Sequence, residues 1–421
     1  MQLFLPPCLP RLRLQLPLGR FHRMKSSAPF YTSAKALFPV VGSKIASELK
    51  RLGKTPGALL DDPSLRWDDP RLALDSLQMM QLAAAINDYF CLFEVGIEDF
   101  LLARPTLGGW VELIAKAYGL GCAHIRLQSS GTSGQQKTIQ HAILDLEQES
   151  AYWAQSFAQA QRLLCFTPIH HIYGLLFGAM LSHKIGCPLH AGQKAFALLH
   201  QGLSEGDVLV GFPDFWHYFL QSGTRVPKGV RAVTSTAPMP ADRQNALLAL
   251  GLEALFDVYG STETGGIGFR TNPQNHYALL PYFTPSESQN NQLWRHHLDG
   301  RHSLIAAPDA LLWQGERLFS VKGRIDGALQ VGGVNVNPRQ IADAIAQMPN
   351  VKAAAVRPFT QAQIVRLKAF VVLEEDTPKA RESLLGLLEE RFVGPERLVQ
   401  VNFGAAIPTN EMGKPCDWPI N

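Results

Sequence analysis

The chain has 421 residues, 46% of them hydrophobic, with 35 Gly, 28 Pro and 39 Lys+Arg against 36 Asp+Glu. That length exceeds what one small domain needs and gives room for two or three bodies with cores of their own. An ordinary apolar fraction and glycines without a fixed period exclude disordered and collagen-like chains, and a formal charge of +3 is too small for a nucleic-acid binder.

The first segment, residues 1–33, reads as a basic leader. Residues 1–47 hold seven basic side chains (Arg11, Arg13, Arg20, Arg23, Lys25, Lys35 and Lys44), and Glu48 is the first acid. The remaining 32 basic and 36 acidic side chains leave a mildly acidic body of −4. Pro and Arg interrupt the apolar runs of MQLFLPPCLPRLRLQLPLGRF, which makes it a poor secretory signal. It is either an Arg-rich targeting peptide or a start placed too early, with Met24 as the alternative beginning. No stretch reaches the apolar length of a membrane span, so no stable membrane insertion is expected. Six cysteines without a CxxC pair or metal-ligand spacing point to neither a disulfide framework nor zinc. A reducing compartment, the cytoplasm, is the simplest setting.

From 34 to 120 the pattern is helical. AKALFPVVGSKIASELKRLGK predicts a helix interrupted or started near Pro39. LDSLQMMQLAAAINDYF predicts a second, with Leu77, Met80, Leu82, Ala85 and Ile86 on an apolar face and Asp75 or Ser76 as N-cap. TLGGWVELIAKAYG predicts a third, ending at Gly119 and Gly121. Between 121 and 323, short apolar strands end in turns and lead into amphipathic helices: RLLCFTP, DVLVGFP, GVRAVTSTAP and ALFDVYGSTETGG. Strand, turn and helix in repetition predict a layered α/β body with its function at the strand C-termini. From 324 to 421 the pattern is compact α+β, with strands in ALQVGGVNV, VKAAAVRP, KAFVVLEE and QVNFGAAIP and a helix from Lys379 to Phe392.

The first candidate for chemistry is QSSGTSGQQKT, Gln128 to Thr138. Small residues and glycines let several amides and hydroxyls point at one anion, as phosphate loops do. The GxxxxGK of a Walker A loop is absent, and alone the segment reads equally well as a polar surface loop. It is followed in order by FTPIHHIYG, VTSTAP, VYGSTETGG, APD, GRIDGALQVGGVNVNP and IPTNEMGKP.

This collinear series, from about residue 129 to the C-terminus, resembles the signature of the adenylate-forming (AMP-binding) acyl and aryl acid ligases. The resemblance implies an α/β fold, a shortened adenylate-forming ligase body with a small α+β C-terminal domain and an N-terminal helical carrier-like unit. ATP and Mg²⁺ are the implied cofactors. Ser130, Thr132, Ser133, Gly134 and Lys137 would lie over the β- and γ-phosphates, offsetting the charge of departing pyrophosphate. Tyr259 would lie against the adenine, Thr262 would bond the α-phosphate, and Glu263 would hold Mg²⁺ through a hard carboxylate oxygen. Asp309 matches the family's ribose aspartate, and Arg324 its ribose or phosphate arginine. Asp326 matches the hinge about which the C-terminal domain turns between half-reactions. Lys414 matches the catalytic lysine, whose ammonium would stabilise charge on the carboxylate and α-phosphate oxygens as the acyl adenylate forms. His171, by its spacing to Gly174, takes the position bordering the acyl pocket or serves as a structural histidine. Ser235 to Pro238 resembles the small-residue loop beside the nucleotide.

Three departures stand out. The phosphate loop begins only near Ser129, so much of the usual N-terminal subdomain is shortened. Gln330 stands where the family often has lysine, which leaves the acceptor thiol open. The helical unit is similar to the phosphopantetheine-attachment region of acyl carrier proteins, with Ser76 as the residue that would carry the arm, although Asp75 and Ser76 also read as a simple helix cap. This architecture looks most like the short AMP ligases of aryl polyene and xanthomonadin pigment biosynthesis. The implied activity is activation of a small carboxylic acid, a 4-hydroxybenzoate-like aryl acid, and its transfer to an acyl carrier protein. CoA as acceptor is the alternative, and a non-catalytic scaffold with a degenerate ligase body is the third. Phe166, Tyr173, Phe177, Phe212, Phe215 and Trp216 either wall a planar acyl pocket or form ordinary core.

Overall fold

A computed structural model describes residues 29–128, 137–286, 291–325, 327–332, 334–361, 364–408 and 417–419. The expected phosphate-loop residues Ser130, Thr132, Ser133 and Gly134, the expected hinge Asp326 and the lysine expected to be catalytic, Lys414, lie outside the described residues.

Three helices open the described chain. α1 (Ala34–Arg51) starts at Ser33, whose hydroxyl accepts the Ala36 amide, and runs unbroken through Pro39. The expected interruption there does not occur. Leu37, Val41, Ile45 and Leu49 recur at helical spacing and bury one face, and that burial outweighs the backbone hydrogen bond that Pro39 cannot make. α2 (Ser76–Phe90) begins with a capping box between Asp75 and Gln78. Its buried face is Leu82, Ala83, Ile86, Tyr89 and Phe90. The expectation that Leu77 and Met80 join this face is wrong: they are 61% and 51% exposed. At about 100° per residue, Leu77 falls nearly opposite the centre of the buried stripe. α3 (Leu107–Gly119), capped by Thr106, buries Trp110 against Trp67, with ring centroids 4.4 Å apart.

A hairpin of β1 (His124–Gln128) and β2 (Thr138–Ala142) flanks the glycine-rich segment and leads into α4 (Ile143–Ser156). The centre of the molecule is a nine-stranded sheet. Its parallel half runs β4 (Leu189–Ala191), β3 (Arg162–Cys165), β5 (Asp207–Gly211), β6 (Arg231–Thr234), β7 (Ala254–Ser261). It continues antiparallel through β8 (Gly265–Arg270), β9 (Tyr277–Leu279), β14 (Leu318–Arg324) and β13 (Asp309–Trp313). All five residues of β5 are buried; a parallel strand covered on both faces reads as a continuous apolar run. Between β3 and β4 the chain is helical as α5 (Ile172–Gly174), a π-turn (Leu175–Met180) and α6 (Leu181–Ile185). α7 (Gln193–Gln201), α8 (Pro213–Gln221) and α9 (Ala241–Ala249) provide the other crossovers.

Two cores line this sheet. Leu199 of α7, Phe215, Trp216 and Phe219 of α8 and Leu247 of α9 pack with Leu164, Leu209 and Ala232. The alternate strand residues Leu163, Val208, Val210 and Val233 belong to a larger core that also holds Phe30, Leu37, Ile86, Trp110, Trp153 and Phe177. Alternation along the strands sends successive side chains to opposite faces, so the helices α1–α3 share one continuous core with the sheet. A small antiparallel sheet of β10 (Phe283–Pro285), β11 (Gln292–His296) and β12 (His302–Ala306) adjoins α4 through Asp145.

The last segment has its own core. A hairpin of β15 (Leu329–Val331) and β16 (Val334–Val336) precedes α10 (Pro338–Ala346), whose N-cap Asn337 accepts the Arg339 and Gln340 amides. β17 (Val351–Gln361) pairs antiparallel with β18 (Ile364–Leu373), which pairs parallel with β19 (Leu398–Phe403) after α11 (Pro378–Arg391). Val336, Ile341, Ile345, Leu367, Val371, Leu384 and Phe392 fill the space between helices and sheet. Among the described residues no helix is long and apolar enough to cross a membrane.

Candidate active site at the carboxyl edge of the sheet

β3, β5, β6 and β7 are parallel neighbours, so the loops that follow them open on one edge of the sheet. These loops hold FTPIHH, FPD, STAP and TET. In open α/β sheets the space beyond the strand carboxyl ends is where ligands bind. Tyr173 ties this edge together: its hydroxyl lies 2.9 Å from the Gly211 carbonyl oxygen and 2.8 Å from that of Val233. Ser235 donates to the Val258 carbonyl at 2.8 Å, which holds the STAP loop to β7. Thr236, next in that loop, has a φ of +79°, a conformation that costs a β-branched residue energy and is seen where a site requires it.

Tyr259, Asp309 and Arg324 are brought together. The Tyr259 hydroxyl donates to Asp309 Oδ2 at 2.8 Å. Asp309 and Arg324 are register partners across β13 and β14. The Tyr259 ring rests 5.6 Å from Phe319 and 5.9 Å from Tyr277. Burial, and then the Asp309 carboxylate, push the Tyr259 pKa far up, so the phenol stays a donor.

The turn after β7 presents Thr262 and Glu263. Glu263 is exposed, Thr262 half-buried and Thr264 buried. Three side chains absent from the sequence-based expectations hold its main chain. His141 of β2 lies with Nε2 2.6 Å from the Thr262 carbonyl oxygen. Burial depresses its pKa, so the imidazole is neutral and Nε2 carries the donated proton. Glu149 of α4 accepts the Gly266 amide at 3.0 and 3.1 Å, one contact to each carboxylate oxygen. Burial pushes the Glu149 pKa up to about 7 against the pull of Arg295 and the Gly266 amide. Arg295 of β11 donates to the Thr264 carbonyl at 3.4 Å and to the Asp145 carbonyl at 3.0 Å. A signal for Glu149 was present: a carboxylate in the buried stripe Leu146, Ser150, Trp153 and Ala154 of an amphipathic helix.

His171 and its neighbour differ in setting. His170 Nδ1 is 2.8 Å from the Ser43 hydroxyl of α1, and its carbonyl accepts the Tyr89 hydroxyl of α2 at 2.7 Å. Burial, with His171 and the Lys44 ammonium, pushes the His170 pKa down to about 3. His171 keeps much of its surface open and sits 4.4 Å from the His170 ring. Partial desolvation and Lys44 also lower its pKa. Both rings are neutral at physiological pH, and His170 is the one built into the structure.

The aromatic side chains offered as an acyl wall are mostly core. Phe166 stacks on Phe215 at 4.0 Å and both lie with Trp216 beneath the sheet, while Tyr173 and Phe177 belong to the larger core. Only Phe212 among them is half-buried. Lys137 is exposed immediately before β2. Ser76 is exposed at the first position of α2. Tyr89, which meets His170, is thirteen residues further along this helix, or roughly 20 Å from Ser76 at 1.5 Å per residue. Beyond Lys414, Asp417 and Trp418 are held by the buried Lys368.

The donor set suits a nucleotide with a hard cation. Among the described residues no three His, Cys, Asp or Glu side chains are grouped to hold a metal by themselves. One exposed carboxylate, Glu263, beside a threonine hydroxyl fits Mg²⁺, which takes one or two carboxylates and completes its shell with phosphate oxygens and water.

Residues 127–285 match the family model described as AMP-binding enzyme. The chain is 33% identical over 387 residues to a 4-coumarate–CoA ligase of Halorhodospira halophila, covering 90% of this chain and 97% of that one. It is 36% identical over 374 residues to a 4-coumarate–CoA ligase of Rhodobacter capsulatus, covering 86% of this chain and 93% of the relative. Among solved structures it shares its fold with o-succinylbenzoate CoA synthetase from Bacillus subtilis, at a TM-score of 0.57 and 16% identity over 70% of this chain and 68% of that one.

Proposed function

Because the chain belongs to the AMP-binding enzyme family, the adenylate-forming acid–thiol ligases, we propose that it activates a planar aryl carboxylate with ATP and hands the acyl group to the thiol of CoA. The substrate carboxylate attacks the α-phosphate of ATP, pyrophosphate leaves, and an acyl adenylate forms. The thiol gives up its proton to solvent, its sulfur bonds to the acyl carbon, the bond from that carbon to the phosphate oxygen breaks and AMP departs.

The observation that carries the nucleotide part is the joining of Tyr259, Asp309 and Arg324 beside the Thr262–Glu263 turn. Asp309 accepts the ribose hydroxyls, Thr262 bonds the α-phosphate, and Lys137 and Ser130, Thr132, Ser133 and Gly134 neutralise the leaving pyrophosphate. Mg²⁺, when bound at Glu263, spreads the charge of the phosphate oxygens. Lys414 stabilises the charge on the reacting oxygens, and Asp326 is the hinge for the second step. His171 borders the acyl group as a neutral ring, the form that does not repel or trap a carboxylate.

The names of the two relatives support an aryl acid and CoA. They also bear on length. This chain covers nearly all of each, so a shortened body accompanies ligases named for CoA and is no pointer to a carrier-linked pigment pathway. A second reading, a 4-hydroxybenzoate-like acid passed to the phosphopantetheine of an acyl carrier protein, is favoured by the exposed Ser76 following Asp75 on α2.

Pyrophosphate release measured across aryl and fatty acids tests the first half. Release with 4-coumarate or hydroxybenzoates is expected, and no acid-dependent release under any condition would end the reading. AMP formation with CoA against a phosphopantetheinylated carrier then identifies the acceptor. Intact mass after incubation with a phosphopantetheinyl transferase decides whether Ser76 is modified.

A further inference from the structure

The turn that bears Thr262 and Glu263 is held by side chains with no assigned part in the reaction. The carbonyls of Thr262 and Thr264 and the amide of Gly266, at alternate positions, are bound by His141, Arg295 and Glu149, which belong to three separate elements. The fit to Glu149 is tight. A Cβ on Gly265 would come within 2.7 Å of Glu149 Oε2, and one on Gly266 within 2.5 Å of Oε1. The Gly265–Gly266 pair therefore exists to let the backbone close on a buried carboxylate. A carboxylate removed from water is costly unless its lone pairs are used, and Glu149 is fully enclosed in the core of the molecule.

We propose that Glu149 is a positioning residue of the adenylation step: by accepting the Gly266 amide, together with His141 and Arg295, it fixes the turn so that Thr262 and Glu263 are set toward the nucleotide phosphates and their cation. This rests on the reading of Thr262 and Glu263 given above. The physical basis is pre-organisation. Groups that stabilise developing charge act without reorganisation only when their main chain is already in place, and misplacement by about 1 Å costs on the order of 100-fold in rate.

Three single variants and the double variant Glu149→Ala with Gly266→Ala test it, each followed by acid-dependent pyrophosphate release at saturating ATP and by thermal melting. Glu149→Ala removes the acceptor, and kcat is expected to fall about 10- to 100-fold while KM for the acid stays within about twofold, because uniform binding is untouched. Glu149→Gln keeps an acceptor oxygen in the same place and is expected to restore kcat to within about threefold of the wild type, a rescue that follows from geometry. Gly266→Ala displaces the carboxylate from the other side. Its loss is expected not to multiply with that of Glu149→Ala, since both break one contact.

The inference is overturned if folded Glu149→Ala retains wild-type kcat, if Glu149→Gln loses as much as Ala, or if the two losses multiply. Should Glu149→Ala fail to fold, Gly266→Ala and His141→Ala carry the test, with a fall in kcat at unchanged acid KM supporting the inference and an unchanged kcat overturning it. Wild-type enzyme that releases no pyrophosphate with any acid fails the functional reading itself. An active wild type with indifferent variants fails only the role of Glu149.

Discussion

Tyr259 and Asp309, fifty residues apart, share a hydrogen bond of 2.8 Å from the phenol to Oδ2, and Arg324 faces Asp309 across the adjoining strand. The bond orients the carboxylate before any ligand arrives. Tyr259→Phe removes one donor and is expected to raise KM for ATP about tenfold, the effect of one hydrogen bond to a charged group at roughly 1.5–3 kcal/mol. Asp309→Ala removes the acceptor altogether and is expected to cost about 100-fold or more in kcat/KM for ATP. Pyrophosphate exchange across a range of ATP concentrations measures both, and an Asp309→Ala enzyme with normal kcat/KM for ATP contradicts the assignment.

The Glu149 carboxyl, ordinarily near 4.5, is raised to about 7 by burial. The folded protein therefore binds a proton here that the unfolded chain has lost, between about pH 4.5 and 7. Stability from this group is fully present below pH 4.5 and declines as pH rises through 7. Melting temperature measured from pH 5 to 8 is expected to show this decline in the wild type and to lack it in Glu149→Gln. Parallel curves for the two proteins would contradict the raised pKa.

The histidines act in the opposite sense. His170 is depressed to about 3, and His141 and His171 are lowered too. Unfolded histidine titrates near 6.5, so the unfolded chain binds more protons below that pH. Stability from His170 is present above 6.5 and lost progressively as pH falls toward 3. His170→Asn is expected to flatten the acid limb of the melting profile below pH 6, and a limb as steep as that of the wild type would show that His170 is not its source.

Much of this was legible. The β3, β5, β6 and β7 segments are apolar runs ended by turns, and their motifs fall on one sheet edge because parallel order makes them do so. The resemblance implied separate roles for Tyr259 and Asp309 and did not foresee their hydrogen bond, since no local pattern links positions fifty apart. What local pattern misjudged was orientation. Leu77 and Met80 look apolar in sequence but lie off the buried stripe of α2, and Pro39 looks like a break but sits in a helix held by tertiary burial. The aromatics of α8 were ambiguous because pocket wall and core demand the same residue types, and packing placed them in the core.

Continuity between the opening helices and the sheet has a measurable consequence. Tyr31 lies buried with its hydroxyl 3.6 Å from Met180 Sδ of the π-turn and its ring 4.9 Å from that of Tyr118 in α3. Truncation there opens a cavity in the shared core, and Tyr31→Ala is expected to destabilise the fold by about 3 kcal/mol. Denaturation followed by fluorescence is expected to show one transition, moved as a whole. Separate transitions, with only the first displaced, would mean that the helices fold as an independent unit.

The C-terminal segment depends on a buried lysine. Lys368 of β18 is 2% exposed, with Nζ 2.9 Å from Asp417 Oδ1 and donating to the Trp418 carbonyl. The Trp418 ring lies 5.6 Å from Phe370, and Trp418 is itself buried. Asp417 is largely exposed, so its ion pair is screened and contributes little; the charged hydrogen bond to the Trp418 carbonyl, at roughly 1.5–3 kcal/mol, is the stronger tie. Asp417 lies three positions after Lys414 in the sequence, so this clamp anchors the chain next to that lysine. Lys368→Met keeps the apolar stem and removes the tie. It is expected to lower kcat for acid-dependent pyrophosphate release about tenfold and to leave KM for the acid unchanged. Asp417→Ala, which spares the carbonyl bond, is expected to change kcat less than threefold. Equal losses in both variants would assign the effect to the ion pair, and full activity in Lys368→Met would show that the clamp does not serve catalysis.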